Sequence, residues 1–135
     1  MHKVLFLDNE DDLIQDLPLL LKSAKIDMVA TASISDAFDL FARESFGAVL
    51  LDCVMPPTGD IDAEDVNYGR ETGVEVARRM KKIKPEIPII FLSVVRDPKI
   101  QEKMRQIGIS EIINKPAEVD HIANVLLKVI GYART

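Results

Sequence analysis

Four polar positions each close an apolar or strand-like run. Asp8-Asn9 follow Val4–Leu7, Asp52 follows Ala48–Leu51, Ser93 follows Ile89–Leu92, and Lys115 follows Glu111–Asn114. Carboxylate and carbonyl oxygens from the first and third positions suit a hard divalent cation, which in the case of magnesium demands near-octahedral oxygen ligands. A hydroxyl and an ammonium can then meet the remaining oxygens of a phosphoryl group. A nucleophile, a cation and donors aimed at the oxygens where charge accumulates are what phosphoryl transfer requires. An aspartate after a strand is by itself an ordinary turn starter. The chemistry therefore rests on the set of four.

The elements that must position these residues read as alternating strands and helices. Val4–Leu7, Ala48–Leu51 and Ile89–Leu92 are apolar without alternation, the pattern of strands buried on both faces; Met28–Thr31 and Glu111–Asn114 complete five. Helical spacing runs through Leu13, Leu17, Leu20, Leu21 and Ala24, with a kink or an irregular turn expected at Pro18. Ser33 and Asp36 resemble a capping box before Ala37, Phe38, Leu40 and Phe41. Thr72 is placed to cap the third helix, whose apolar positions are Val74, Val76, Ala77, Met80 and Ile83. Asp97-Pro98 opens the fourth helix and Gly108 closes it; Val119, Ile122, Val125, Leu126, Val129 and Ile130 line the fifth. Five strands separated by five helices predict an α/β fold, a doubly wound parallel sheet in a three-layer sandwich, because parallel neighbours need right-handed crossovers. All four chemical positions then share the carboxyl edge of the sheet, where open α/β sheets bind ligands.

Composition narrows the function. At 135 residues, 47% of them hydrophobic and 29% charged, the chain suits a single domain spanning 1–135. No apolar run approaches the roughly twenty residues of a membrane span, and Met1-His2-Lys3 leads directly into a strand, so a soluble, cytoplasmic protein is expected. The net charge of -5 opposes direct nucleic-acid binding, which needs a basic surface. The lone cysteine, Cys53, suits a small packed thiol rather than a reactive one.

The segment 56–72 is a long loop with turn formers at both ends. Such a loop in a compact domain is usually either functional or disordered. Asp60, Asp62, Glu64 and Glu71 loosely resemble a calcium loop, but Asp65 stands where the tight turn needs glycine, which argues against calcium. Ile61 and Tyr68 are instead candidates to fold over the neighbouring site or to contact a partner.

Val4-Leu5-Phe6-Leu7-Asp8-Asn9-Glu10, Val49-Leu50-Leu51-Asp52-Cys53-Val54-Met55-Pro56, Ile89-Ile90-Phe91-Leu92-Ser93 and Ile113-Asn114-Lys115-Pro116, with Ala37 and Gly73, resemble a receiver domain of two-component response regulators. The resemblance covers nearly the whole chain and implies the strand order 2-1-3-4-5. It implies that Asp52 accepts phosphate from a phosphohistidine on a sensor histidine kinase or phosphotransfer protein. It also implies that Mg²⁺, or Mn²⁺ in its place, lies between Asp8, Asn9, Asp52 and the Val54 carbonyl, and that Ser93 and Lys115 bind the phosphoryl group. The Lys115-Pro116 bond is expected to be cis. A downstream protein or a second copy is expected to bind through helix four, strand five and helix five, where Ile100, Met104, Ile112 and the face from Val119 to Ala123 would be presented.

This chain departs from the family pattern at four places. Asn9 replaces an acid with a neutral amide, so magnesium affinity should fall unless Glu10 compensates. Val94 is larger than the alanine usual after the hydroxyl residue, and Ile112 stands where the family commonly carries a switching aromatic. The fourth departure is the extended 56–72 loop. A degenerate receiver that binds partners without phosphorylation is the alternative these departures raise. A flavin module of the same topology is disfavoured because no phosphate-cradling glycine or hydroxyl-rich loop follows the first strand.

Overall fold

The computed structural model describes residues 2–134. In chain order the elements are β1 (His2–Leu7), α1 (Asp11–Leu20), β2 (Ile26–Thr31), α2 (Ile34–Arg43), β3 (Ala48–Leu51), α3 (Thr72–Ile83), β4 (Ile89–Ser93), α4 (Pro98–Ile107), β5 (Glu111–Asn114) and α5 (Val119–Arg134). The strands form one parallel sheet in the order β2-β1-β3-β4-β5.

Why the central strands read as unbroken apolar runs is visible in the two cores. Successive side chains of a strand point to opposite faces. Leu5, Leu7, Val49, Leu51, Ile89 and Phe91 pack on one side with Ala37 and Phe41 of α2, Val76 and Met80 of α3, and Ile100 and Met104 of α4. Val4, Phe6, Leu50, Ile90 and Leu92 pack on the other with Leu17 of α1 and Ile122, Leu126 and Ile130 of α5. Helices thus cover both faces, and a polar residue inside these strands would have no water to meet.

Local signals explain most helix boundaries. Ser33 Oγ accepts from Asp36 N at 3.1 Å at the start of α2, and an Asp97 carboxylate oxygen accepts from Lys99 N at 2.9 Å at the start of α4. Gly108 ends α4 at φ 89°, in the left-handed region that glycine enters without steric cost. The helix α1 runs through Pro18 to Leu20, and the irregularity comes later, as a 3₁₀ turn at Lys22–Ala24.

Three expectations change. The strand β2 begins at Ile26 rather than Met28: it lies at the sheet edge, where exposed Asp27 alternates with buried Ile26 and Met28, and His2 pairs with Ile26. Thr72 does not cap α3. It is the helix's first residue, fully buried, and its Oγ donates to the Met55 carbonyl at 2.5 Å. Ile100 and Met104 do not lie on an outward surface, being 3% and 0% exposed. With so few apolar residues, α4 must turn this pair inward to adhere to the sheet, which leaves Lys99, Glu102, Lys103, Arg105 and Gln106 outside. Ile122 and Ala123 of α5 are buried as well.

The long 56–72 loop is folded. Ile61 and Val66 are buried, a 3₁₀ turn spans Glu64–Val66, and Asn67, Tyr68 and Gly69 take left-handed conformations in succession. Its return limb is tied to the segment behind β3: Met55 N donates to Gly69 O at 3.1 Å, Cys53 Sγ to Arg70 O at 3.2 Å and Gly73 N to Cys53 O at 2.9 Å. Tyr68 is 73% exposed. The loop's acids diverge, Asp60 pairing with Arg79 at 2.6 Å and Glu71 with Lys103 at 2.6 Å.

Candidate functional site

At the carboxyl edge the parallel ladder extends into the chemical residues. Asp8 N donates to Thr31 O at 3.3 Å, Asp52 N to Leu7 O at 2.9 Å, and Lys115 N to Ser93 O at 2.9 Å. Each backbone is thereby anchored to a neighbouring strand, which holds its side chain in place. Asp8, Asp52, Ser93 and Lys115 are all buried, at 0%, 4%, 0% and 9% exposure. Four buried polar side chains at one sheet edge call for mutual satisfaction.

Lys115 supplies it. Its Nζ lies 2.8 Å from Asp8 Oδ2, 3.2 Å from Glu10 Oε1 and 3.7 Å from Asp52 Oδ1. The other Asp8 oxygen accepts from Glu10 N at 2.8 Å. Burial would lower the Lys115 pKa, but the hydrogen bond it donates to Asp8 and the charges of Asp52 and Asp8 raise it overall, so the ammonium is held charged. Asp52 is raised from 3.8 to about 6 by burial and by the charge of Asp8, against the pull of Lys115. Burial likewise pushes the adjacent Cys53 thiol up to about 12, which makes it a packing group rather than a nucleophile.

The raised Asp52 pKa has a stability consequence. The folded protein binds a proton at Asp52 more tightly than the unfolded chain does, so folding stability should fall as pH rises from about 4 to about 6 and then level off. Fully realised, the displacement is worth about 3 kcal/mol. With the open mouth of the site screening part of it, Asp52→Asn is expected to be about 1 to 2 kcal/mol more stable than wild type at pH 7.5 and to lose that advantage near pH 4. Urea denaturation at the two pH values measures this; an equal difference at both would show that Asp52 carries no such burden.

Asn9 does not join the buried set. It is exposed and lines a groove of about 610 Å³ between α2 and the long loop, with Phe38, Met55, Pro56, Ile61 and Arg79. Glu10 reaches Lys115, and among the described residues no three His, Cys, Asp or Glu side chains gather as a metal-holding group. The two buried carboxylates of Asp8 and Asp52 do fit a divalent cation: their proximity and burial raise Asp52, and added positive charge between them would relieve it. Val54, two residues after Asp52, is 36% exposed and Val94 is 55% exposed, so both face outward. Ile112 is partly buried beside Phe91, its register partner, on the outer part of the core. The Lys115-Pro116 bond is cis.

One residue at this edge escaped the sequence reading. Arg96, in the connection after β4, donates from Nη1 to Ser93 O at 3.1 Å and from Nη2 to Lys115 O at 2.7 Å. Nothing in its local sequence marks it, because both acceptors are main-chain atoms and one lies nineteen residues away.

Comparison with known proteins bears on the fold and the family. Protein RcaC of Microchaete diplosiphon is 27% identical over 129 residues, which are 94% of this chain and 18% of RcaC, so the chain spans under a fifth of that relative's length. A response regulator receiver domain protein from Clostridium thermocellum superposes with a TM-score of 0.82 at 20% identity, covering 99% of this chain and 98% of that one. A receiver domain protein from Methanospirillum hungatei, described as CheY-like, gives 0.81 at 13% identity, covering 99% and 97%. The response regulator receiver domain family matches residues 4–127, from inside β1 into α5 and so through all four strand ends, and the chain belongs to that family.

Proposed function

We propose that this chain is a phosphoacceptor receiver in which Asp52 takes a phosphoryl group from a phosphohistidine of a sensor histidine kinase or phosphotransfer protein. The observation that carries the reading is the convergence of Asp52, Asp8 and Lys115, with Nζ within 3.7 Å of both aspartates. An Asp52 oxygen would form the new P–O bond while the P–N bond to the donor imidazole breaks, its electron pair remaining on the imidazole nitrogen. Lys115 and the Ser93 hydroxyl, at the ends of the adjacent strands β5 and β4, would donate to phosphoryl oxygens as charge gathers there. Ser93 Oγ accepts from Val95 N at 3.0 Å and keeps its own proton to give.

Asp8 and Asp52, with the Val54 carbonyl, would hold Mg²⁺ or Mn²⁺. Bound there, the ion neutralises charge on the phosphoryl oxygens. Asn9, on the groove side, would contribute no charge. We read 1–135 as one such unit, working in the cytoplasm, with output passing to a downstream protein or a second copy. The polar exterior of α4 favours a charged contact there over an apolar one.

A phosphorylation-independent binding module is favoured by one observation, the exposure of the neutral amide Asn9 outside the buried carboxylate set, at a position where the family usually has an acid. The two readings separate on incubation with acetyl phosphate and Mg²⁺ followed by intact mass. Wild type is expected to gain one phosphoryl group and Asp52→Asn none. No gain in wild type would favour the binding module, and a gain in both would place the acceptor elsewhere.

A further inference from the structure

Ser93 and Lys115 sit at the ends of adjacent strands, and the distance between their side chains depends on how the two main chains are held. One backbone bond joins them, Lys115 N to Ser93 O at 2.9 Å. Past that point the connections diverge, one toward α4 and the other toward α5. Within the first, Val95 N returns to Ser93 Oγ at 3.0 Å and the Gln101 amide donates to Val95 O at 3.2 Å; both ties stay on the β4–α4 side.

Arg96 alone reaches across among the described side-chain hydrogen bonds, spanning the Ser93 and Lys115 carbonyls at 3.1 and 2.7 Å. A guanidinium is planar, and its donors lie in a rigid fork, so gripping two acceptors with separate nitrogens sets their spacing; an ammonium is a point charge without that shape. Bonds from a charged donor are also roughly twice as strong as neutral ones. Building on the phosphoacceptor reading, we infer that Arg96 is a positioning residue: it clamps the two carbonyls beside which the Ser93 hydroxyl and the Lys115 ammonium branch, and so fixes how both donors meet a phosphoryl group on Asp52.

The same clamp makes the β4–α4 and β5–α5 connections move as one. Displacing Ser93 toward a phosphoryl group pulls on the Arg96 fork, and through it on the main chain of Lys115. Arg96 touches no phosphoryl oxygen in this account, so its loss acts through its two neighbours.

The experiment uses the full chain, with acetyl phosphate as donor in Mg²⁺ buffer and intact mass as readout. Wild type, Arg96→Ala, Ser93→Ala and the double variant are compared, after thermal melting has shown each to be folded. Arg96→Ala is expected to slow phosphoryl uptake about 10-fold, since small misplacements of a reacting group carry costs of that order. In the Ser93→Ala background the same change should cost about 3-fold or less, because one of the donors it positions is already absent. An Arg96 that merely supported the fold would lower the melting temperature and give the same factor in both backgrounds. Arg96→Lys, which keeps the charge without the fork, should behave like Arg96→Ala, and it carries the comparison if the alanine variant melts too low. Equal factors in the two backgrounds, or unaltered uptake, overturn the inference while leaving the phosphoacceptor reading intact. Absence of uptake in wild type overturns both.

Discussion

Gly73→Ala is expected to destabilise the fold by about 3 kcal/mol or more, a large share of the roughly 5 to 15 kcal/mol that holds a domain together. Gly73 lies in the first turn of α3, directly against the end of β3. A Cβ there would stand 2.2 Å from Asp52 O, 2.7 Å from Cys53 Cα and 3.0 Å from Asp52 C. All three are main-chain atoms, so no side-chain rotation relieves the overlap. Either α3 withdraws, breaking the bond from Gly73 N to Cys53 O and the one from Thr72 Oγ to Met55 O, or the β3 end withdraws and carries Asp52 out of register with Lys115. Both routes damage the site, so phosphoryl uptake should fall with stability. Thermal melting should drop by roughly 10 °C or more. Gly131→Ala is the control: its Cβ would meet nothing within 4 Å on α5, and it should gain about 0.5 to 1 kcal/mol. A Gly73→Ala protein that melts like wild type would refute the close approach.

Lys115→Ala is expected to cost about 3 kcal/mol at pH 7.5, because it leaves two buried carboxylates facing each other without their shared cation. The 2.8 Å bond to fully buried Asp8 and the 3.7 Å approach to Asp52 both disappear. With the ammonium gone, the Asp52 pKa rises beyond about 6, so the folded variant takes up protons at a higher pH than the unfolded chain does. Its stability should therefore recover as pH falls from about 7 toward 5, and the deficit relative to wild type should narrow. Uptake from acetyl phosphate should drop about 100-fold, the usual consequence of removing a donor aimed at developing charge. Urea denaturation at pH 7.5 and pH 5 tests the electrostatic part. A deficit independent of pH would mean that only the packing of the lysine stem was lost.

Ala48–Leu51 followed by Asp52 was readable from the chain alone because a strand covered by helices on both faces admits no polar residue until it leaves the sheet, so its end is written in composition. The same holds for Asp8 and Ser93, whereas Lys115 closes the edge strand β5, which itself carries Glu111 and Asn114. The alternation of strands with helical spacing determined the doubly wound parallel sheet and the shared edge, and the strand order followed from the family resemblance. Caps that act within three residues, at Ser33 and Asp97, were readable for the same local reason.

What only the tertiary structure decided depends on partners remote in sequence. Ile26 belongs to β2 because His2 lies beside it. Thr72 looks like a cap, yet its hydroxyl meets Met55, seventeen residues earlier. Ile100 and Met104 could have faced either way until the sheet claimed the one apolar stripe of α4. Asn9 follows a buried aspartate and still turns outward, into a groove that exists only because the 56–72 loop folds back against α2. Arg96 carries no local signature at all. An arginine's reach across two strand ends is set by where the main chain puts their carbonyls, and main-chain carbonyls are the same in every sequence.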